Sequence, residues 1–251
     1  MVLSARSSLR VLALMLAALA PLAASAAEGP PYDLVIRNGR VVDGTGNPWF
    51  RGDVAVHGDR IAALWHIPED APARRVIDAS GLVVAPGFVD MHSHSDWVLF
   101  EDGGAPSKIR QGVTTEVLGE DRSGGPNRGR LAPRSVTVKG REVRLESLGD
   151  YLDALEASGI ATNVASYVGL GNVWGGVMGD SFAGPTPGQL DEMEAILDLA
   201  MRDGAFGLST MLAAPQEMVA TTDDLVELCR VVRRHGGLYS SHIRNEGEDV
   251  L

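Results

Sequence analysis

The chain has 251 residues, 45% of them hydrophobic and 22% charged, which is the composition of a globular protein with a packed core. A formal net charge of -11 argues against nucleic acid as the main partner, because phosphate binding requires clustered Lys and Arg. The single cysteine, Cys229, cannot form an intramolecular disulfide, and its apolar helical surroundings predict a buried thiol. No pattern in the sequence predicts an oligomeric state.

The first 26 residues have the features of a cleavable signal peptide. Arg6 and Arg10 form a positive region, residues 11–20 are apolar, and residues 24–26 provide a small-x-small cleavage site. The apolar run is short for a hydrocarbon layer of about 30 Å, which disfavours the alternative of a membrane anchor. We therefore expect a periplasmic or secreted protein with no stable membrane anchor after cleavage.

Residues 27–85 predict a small β-sandwich-like domain. Short extended runs alternate with turn signals, and no helix of normal length fits between them. Asn38-Gly39 is interpreted as the turn of a β-hairpin, because this dipeptide favours the left-handed conformations of tight turns.

Strands and helices alternate through residues 86–251, which predicts an α/β fold built from parallel βαβ units. Ser147 and Thr186 are placed to cap two of the helices. The predicted strands cover residues 87–92, 114–119, 163–168, 206–209 and 238–242, and the first of them is expected to be buried. The predicted helices cover residues 107–111, 148–157, 187–202 and 223–234.

Five such units fit either an open doubly wound sheet or a (β/α)8 TIM-type barrel. The first strand is not followed by a Gly-rich phosphate loop, and polar residues end several strands, so the barrel is favoured. Residues 86–251 number 166, whereas such a barrel needs about 250 residues. We expect about five of eight βα units here, in a chain truncated before the sixth strand, because an open parallel barrel would leave bare edges.

A β-hairpin over residues 134–145 interrupts the alternation after the second strand. Its neighbourhood is rich in arginine, and the favoured interpretation is a solvated hairpin. The alternative is a lid that attracts an anionic substrate.

The pair His92 and His94 is the strongest local signal for chemistry. Residues two apart on a strand point to the same face, so both imidazoles are expected at the carboxyl end of the first barrel strand. Imidazole is a common ligand of zinc and related cations. The alternative is two structural histidines. Asp90 shares their face and is expected to orient an imidazole.

Two further candidates lie at the same predicted rim. His242 ends the fifth strand, and Glu120 follows the second strand with Asp121 beside it. Glu120 is the favoured carboxylate because it shares strand parity with Leu118. Three histidines and one carboxylate suit one or two zinc ions, with Mn, Fe, Co or Ni as alternatives. Such a cation activates water and polarises a carbonyl, which is the chemistry of amide hydrolysis.

Four stretches resemble the amidohydrolase superfamily, and most closely its D-aminoacylase (N-acyl-D-amino-acid deacylase) branch. They are APGFVDMHSHSD at 85–96, QGVTTEVLGE at 111–120, GAFGLST at 204–210 and GGLYSSHIRNEG at 236–247. The resemblance implies a (β/α)8 barrel flanked by a small β-sandwich. It also implies a small-molecule N-acyl amino acid as the substrate.

The resemblance assigns roles to residues already singled out. It implies that His92, His94 and His242 are metal ligands, and that Glu120 takes the second-strand ligand place, where many D-aminoacylases have cysteine. The surrounding residues implied to support the site or to contact substrate are Asp90, Asp96, Asp121, Arg244 and Glu246.

Two departures from the family pattern concern residues 169–174. Leu170 and Trp174 stand where family members often have His and Arg, which implies altered recognition of the acyl group or carboxylate. The family's sixth-strand histidine and its eighth-strand aspartate, the expected general base and acid, would lie beyond Leu251. This chain alone is therefore expected to be inactive.

The predicted function is metal-dependent hydrolysis of a non-peptide amide C–N bond, with N-acyl-D-amino acids as the favoured substrates. Three alternatives stay open. The first is a cyclic-amide hydrolase of the dihydroorotase or hydantoinase type. The second is a periplasmic binding or metal-buffering module, and the third is an inactive metal-binding fragment.

Overall fold

A computed structural model describes residues 32–247 of the chain. Two compact units divide between Pro86 and Gly87, the first ending at Pro86 and the second beginning at Gly87. The predicted signal peptide lies outside the described residues. The predicted boundaries 27–85 and 86–251 stay predictions.

The described residues of the first unit form one five-stranded sheet around the buried side chains of Val35, Ala55 and Ile67. The strand order is β3-β2-β1-β4, and β5 also pairs with β1. Neighbours β1–β2 and β2–β3 are antiparallel, whereas β4 and β5 run parallel to β1. The strands are β1 (Tyr32–Val41), β2 (Phe50–His57), β3 (Arg60–Trp65), β4 (Ala73–Asp78) and β5 (Val83–Val84). The second layer of a sandwich is not among residues 32–86.

The interpretation of Asn38-Gly39 as a hairpin turn is wrong. Strand β1 continues through both residues, and only the pairing register with β2 shifts between Ile36 and Gly39. Asn38 takes the left-handed conformation (φ 64°), and its backbone N–H donates to Asp53 Oδ1 at 2.9 Å. The turn-prone dipeptide therefore forms a local bulge in the strand, and the chain does not reverse direction there.

The described residues of the second unit form six parallel strand segments, which pair in sequence order, and one antiparallel strand pair. The strands are β6 (Phe88–Asp90), β7 (Val113–Leu118), β8 (Arg134–Val138), β9 (Arg141–Leu145), β10 (Asn163–Ser166), β11 (Val168–Gly169), β12 (Gly207–Met211) and β13 (Leu238–His242). Two parallel sheets run β6-β7-β10 and β11-β12-β13, and only Tyr167 separates β10 from β11. These six segments correspond to the five predicted barrel strands, the third of which is split at Tyr167.

Helices follow the parallel strands as the alternation predicts. They are α1 (Val98–Glu101), α2 (Pro106–Ile109), α3 (Leu148–Ser158), α4 (Leu170–Met178), α5 (Pro187–Arg202) and α6 (Thr222–Arg234). Capping boxes at Ser147, Thr186 and Thr221 satisfy backbone donors at the starts of α3, α5 and α6. Their apolar faces pack into the main core with the strands. None of the helices in the described part of the chain has the length and apolar character of a membrane span.

The sequence patterns did not predict the helix α4. Its nine residues are all buried, including the two departures Leu170 and Trp174. Three of its nine residues are glycines, which have low helix propensity and weaken the helical signal in the sequence. Leu170 and Trp174 are therefore core residues in this structure, packed in the main cluster.

The strand that the sequence predicts as the first of a barrel is shorter and more exposed than predicted. Strand β6 spans three residues, with Phe88 61% and Val89 52% exposed. The expectation of a buried strand over residues 87–92 is wrong for the described structure. The reason is that β6 pairs only with β7 among the described strands, so its other edge is open.

The predicted hairpin is the antiparallel pair β8–β9. One side packs inward through the buried side chains of Val138 and Leu145, and α3 contacts both strands. The guanidinium of Arg134 lies 3.9 Å from the ring centre of Trp97. The hairpin is therefore anchored on the second unit rather than solvated on both faces.

Cys229, in α6, is half-buried, and burial raises the pKa of its thiol.

The cap of α6 provides a test of this fold. Thr221→Ala removes the oxygen that accepts the Asp224 backbone N–H at 3.2 Å, and should lower the free energy of unfolding by about 1 kcal/mol. The matched control is Thr222→Ala, at the adjacent exposed first helical position, which should leave it nearly unchanged. Urea unfolding followed by circular dichroism measures both. Equal losses in the two variants would contradict the capping role.

Candidate metal site

The two histidines that follow β6 bring their ring nitrogens together. His92 Nε2 and His94 Nε2 are 3.2 Å apart, and the rings meet edge to face with centroids 5.0 Å apart. Both residues are exposed, whereas Ser93 between them is buried. The two imidazoles therefore converge on the open side of the segment that follows β6.

Glu120 and His242 lie at the same cavity, which has a volume of about 260 Å³. Glu120 is 5% exposed, and its Oε1 is 3.9 Å from His92 Nδ1. The hydroxyl of Ser240 donates to Glu120 Oε1 at 3.1 Å. His242 ends β13, and its Nε2 is 2.7 Å from Glu246 Oε1. The cavity is lined by His92, Glu120, Ser240, Ser241, His242, Ile243 and Glu246.

The spacing of the two imidazoles fits a shared cation. Zinc–nitrogen bonds of about 2.0–2.1 Å in a tetrahedral site place two ligand nitrogens roughly 3.3 Å apart. The separation of His92 Nε2 from His94 Nε2 is 3.2 Å. Among residues 32–247, no group of three or more His, Cys, Asp or Glu side chains is arranged to hold a metal ion as the side chains stand. Glu120 is held by Ser240 and His242 by Glu246, so a full ligand set needs side-chain rotations there.

Asp121 is placed differently from Glu120. It has a left-handed backbone (φ 71°) and is not among the residues that line the cavity. Burial raises the pKa of Glu217, and the nearby negative charge of Asp121 adds to that rise.

Asp90 and Asp96 contact the backbone around the histidines. Asp90 forms an ion pair with Lys108, and its Oδ1 accepts the His92 backbone N–H at 3.2 Å. The Lys108 hydrogen bond lowers the pKa of Asp90. The hydrogen bonds of Asp90 thus orient the His92 backbone rather than an imidazole. Asp96 is 4% exposed and accepts the Gly119 N–H at 3.1 Å, and burial raises its pKa to about 6.

Arg244 and Glu246 follow β13. The Arg244 guanidinium donates to the carbonyls of Met218 at 2.9 Å and Ala220 at 2.5 Å. It therefore holds the short 3-10 segment Glu217–Val219 against the end of β13. Glu246 contacts the candidate ligand His242 directly.

The sequence analysis missed two buried carboxylates, Glu116 and Glu217. Glu116, in β7, is fully buried and bonded to Ser93 and Thr162. A charged residue within the apolar strand was a usable signal, since a buried carboxylate requires partners.

Glu217 is 4% exposed, and its Oε2 accepts the Met211 backbone N–H at 2.7 Å. Burial raises the pKa of Glu217 to about 7. Its place in an irregular segment after β12 gave no sequence signal.

Parallel strands followed by helices, with candidate metal ligands at the carboxyl ends of the strands, are typical of barrel hydrolases with metal centres. The comparison with family models agrees: the Amidohydrolase family matches residues 75–241. The chain belongs to the amidohydrolase family.

Two curated relatives come from Alcaligenes xylosoxydans xylosoxydans. The D-aminoacylase is 40% identical over 230 residues, which cover 90% of this chain and 47% of the relative. The N-acyl-D-glutamate deacylase is 40% identical over 221 residues, which cover 87% of this chain and 45% of the relative. The chain spans about half the length of these curated relatives.

A solved structure shows the same fold. The N-acyl-D-glutamate deacylase from Bordetella bronchiseptica, in complex with zinc and a phosphonate mimic of the tetrahedral intermediate, matches with a TM-score of 0.78. It is 36% identical, and the match covers 89% of this chain and 47% of that one. The resemblance to the D-aminoacylase branch is therefore confirmed, and the site residues stay predictions.

The raised pKa of Glu217 predicts a pH dependence of stability. The carboxyl binds its proton more tightly in the folded state, so its contribution is full below pH 4.5 and is lost as the pH rises to about 7. Glu217→Gln keeps a neutral acceptor for Met211 and should remove this loss. Urea unfolding between pH 4.5 and 8 measures it, with Glu192→Gln on the exposed surface of α5 as control. Parallel curves for wild type and Glu217→Gln would contradict the assignment.

Proposed function

We propose that this protein is a metal-dependent hydrolase that deacylates N-acyl-D-amino acids. The observation that carries the proposal is the 3.2 Å approach of the His92 and His94 Nε2 atoms beside the cavity of Glu120 and His242. The curated relatives at 40% identity are deacylases of N-acyl-D-amino acids, which supports the substrate class.

Zinc is the proposed cofactor, as one or two ions. Its support is the zinc in the Bordetella bronchiseptica relative and the chemistry of the donors in this chain. A bound zinc ion lowers the pKa of a water ligand to near neutrality and polarises the substrate carbonyl. The proposed ligands are His92, His94, Glu120 and His242.

The side chains around these ligands have defined tasks in the proposal. The Ser240 hydroxyl, bonded to Glu120, holds that carboxylate toward the cavity. Glu246 must release His242 Nε2 before that nitrogen can act as a ligand. A carboxylate at position 120 is a harder ligand than the thiolate found in many D-aminoacylases, so it favours harder divalent cations more than a thiolate does.

The proposal extends to architecture and location. The parallel strands β6, β7, β10–β11, β12 and β13 are taken as five of the eight strands of a (β/α)8 barrel, and the first unit as part of a small β-sandwich. Their order in sequence and space supports this. A periplasmic or secreted location is supported by the signal-like residues 1–26.

A cyclic-amide hydrolase is the second candidate function, because it uses the same superfamily chemistry on ring amides. The segment QGVTTEVLGE and the lack of an obvious fourth-strand ligand lysine in the sequence argue against it. Strand β12 ends at Met211, with Ser209 and Thr210 before it.

The ligand assignment predicts which substitutions remove metal. His92→Ala and His242→Ala should each reduce the zinc retained per chain after dialysis, because each removes a first-choice donor nitrogen. Elemental analysis measures the bound zinc. His66→Ala, an exposed histidine of the first unit, is the matched control and should retain the wild-type amount.

Among the carboxylates, Glu120→Gln should weaken zinc binding more than Asp121→Asn. The reverse order would show that Asp121 is the ligand. Wild-type zinc content in both His92→Ala and His242→Ala would contradict the site itself.

The substrate assignment predicts stereoselective deacylation. In its natural full-length form with zinc, the protein should release amino acid from N-acyl-D-amino acids and leave their L enantiomers and hydantoins intact. Chromatographic assay of released amino acid measures this. Hydantoin opening without deacylation would favour the cyclic-amide alternative.

A further inference from the structure

We infer that Glu116 is a positioning residue: with Ser93, Lys108 and Thr162 it forms a largely buried brace that holds the His92 and His94 imidazoles in their convergent orientation beside the cavity. The inference rests on the proposed function, since it concerns how this chain holds its metal ligands. The brace is defined as the side chains of Ser93, Lys108, Glu116 and Thr162.

Glu116 is the centre of the brace. It is 0% exposed, and its two oxygens accept from different hydroxyls: Oε2 from Ser93 Oγ at 2.7 Å and Oε1 from Thr162 Oγ1 at 2.9 Å. Burial alone would raise the pKa of Glu116, but hydrogen bonds from Ser93, Ser95 and Thr162 and the charge of Lys108 outweigh it and lower the pKa. The group is therefore an anion held in one orientation.

Ser93 transmits that orientation to the histidines. It is 2% exposed, its backbone N–H donates to Val117 O at 3.0 Å, and its hydroxyl donates to Glu116. Ser93 is thus held inward, whereas His92 and His94 on either side of it are exposed.

Lys108 connects the other members of the brace to Asp90, and through Asp90 to the backbone of His92. Its Nζ is 3.5 Å from Glu116 Oε2 and 3.2 Å from Ser93 Oγ, and it forms an ion pair with Asp90. Asp90 in turn accepts the His92 backbone N–H. Two carboxylates against one ammonium leave one negative charge behind the histidines, which favours a cation in front of them.

A purely structural ion pair and a positioning brace would respond differently to substitution. A structural pair affects only how stably the chain folds. A brace affects how tightly the folded chain binds a cation, because outer partners of metal ligands contribute about 10–100-fold to metal affinity.

The test measures Co²⁺ affinity of the full chain by competition with a chromophoric chelator, together with the Co²⁺ absorption spectrum and the melting temperature. Glu116→Gln and Ser93→Ala remove the same link from its two ends and should each weaken Co²⁺ binding about 10-fold or more. The double variant should lose no more than the larger single loss, because both remove one interaction. Glu142→Gln, on the exposed hairpin, is the control and should bind like wild type.

Lower melting temperatures with wild-type Co²⁺ affinity and spectrum in both variants would overturn the brace and leave the metal site intact. If Glu116→Gln does not fold, Ser93→Ala alone decides between the same two results. Absence of Co²⁺ binding by the wild-type chain would instead defeat the proposed metal site, and the brace with it.

Discussion

The parallel pairing of consecutive strands is the constraint on which the site depends. Asp90 pairs with Glu116 across β6 and β7, and Met211 pairs with His242 across β12 and β13. Because parallel strands end at one edge, residues distant in sequence meet there. Pairing brings His92 and Glu120 together within one sheet, and Ser240 of β13 bonds Glu120 from the other sheet, so that His242 reaches the same cavity although 150 residues separate it from His92.

Much of the second unit could be predicted, because its local signals agree with its tertiary structure. Capping residues marked the starts of α3 and α5, and alternating polarity marked the β8–β9 hairpin. The strand-end histidines were visible because an H-x-H pair stands out after an apolar strand. Signals of this kind are local, so a single sequence carries them.

What could not be predicted depends on partners distant in sequence. The dipeptide Asn38-Gly39 is typical of a hairpin turn. In the structure, however, the Asn38 backbone N–H donates to Asp53 of the adjacent strand, and β1 continues through both residues. The helix α4 is buried all round, and its three glycines weaken the helical signal in the sequence. Glu116 was passed over because only the fold brings Ser93 and Thr162 to its two oxygens. Hydrogen-bond networks of this kind fix the orientation of a buried side chain, and a local sequence pattern does not predict them.

X-ray absorption spectroscopy of the zinc-loaded chain tests the central claim most directly, because it reports the ligand atoms themselves. The account predicts nitrogen and oxygen neighbours at about 2.0–2.1 Å, with the scattering pattern of at least two imidazoles. A zinc–sulfur distance near 2.3 Å, which would implicate Cys229, or a shell without imidazole would contradict it.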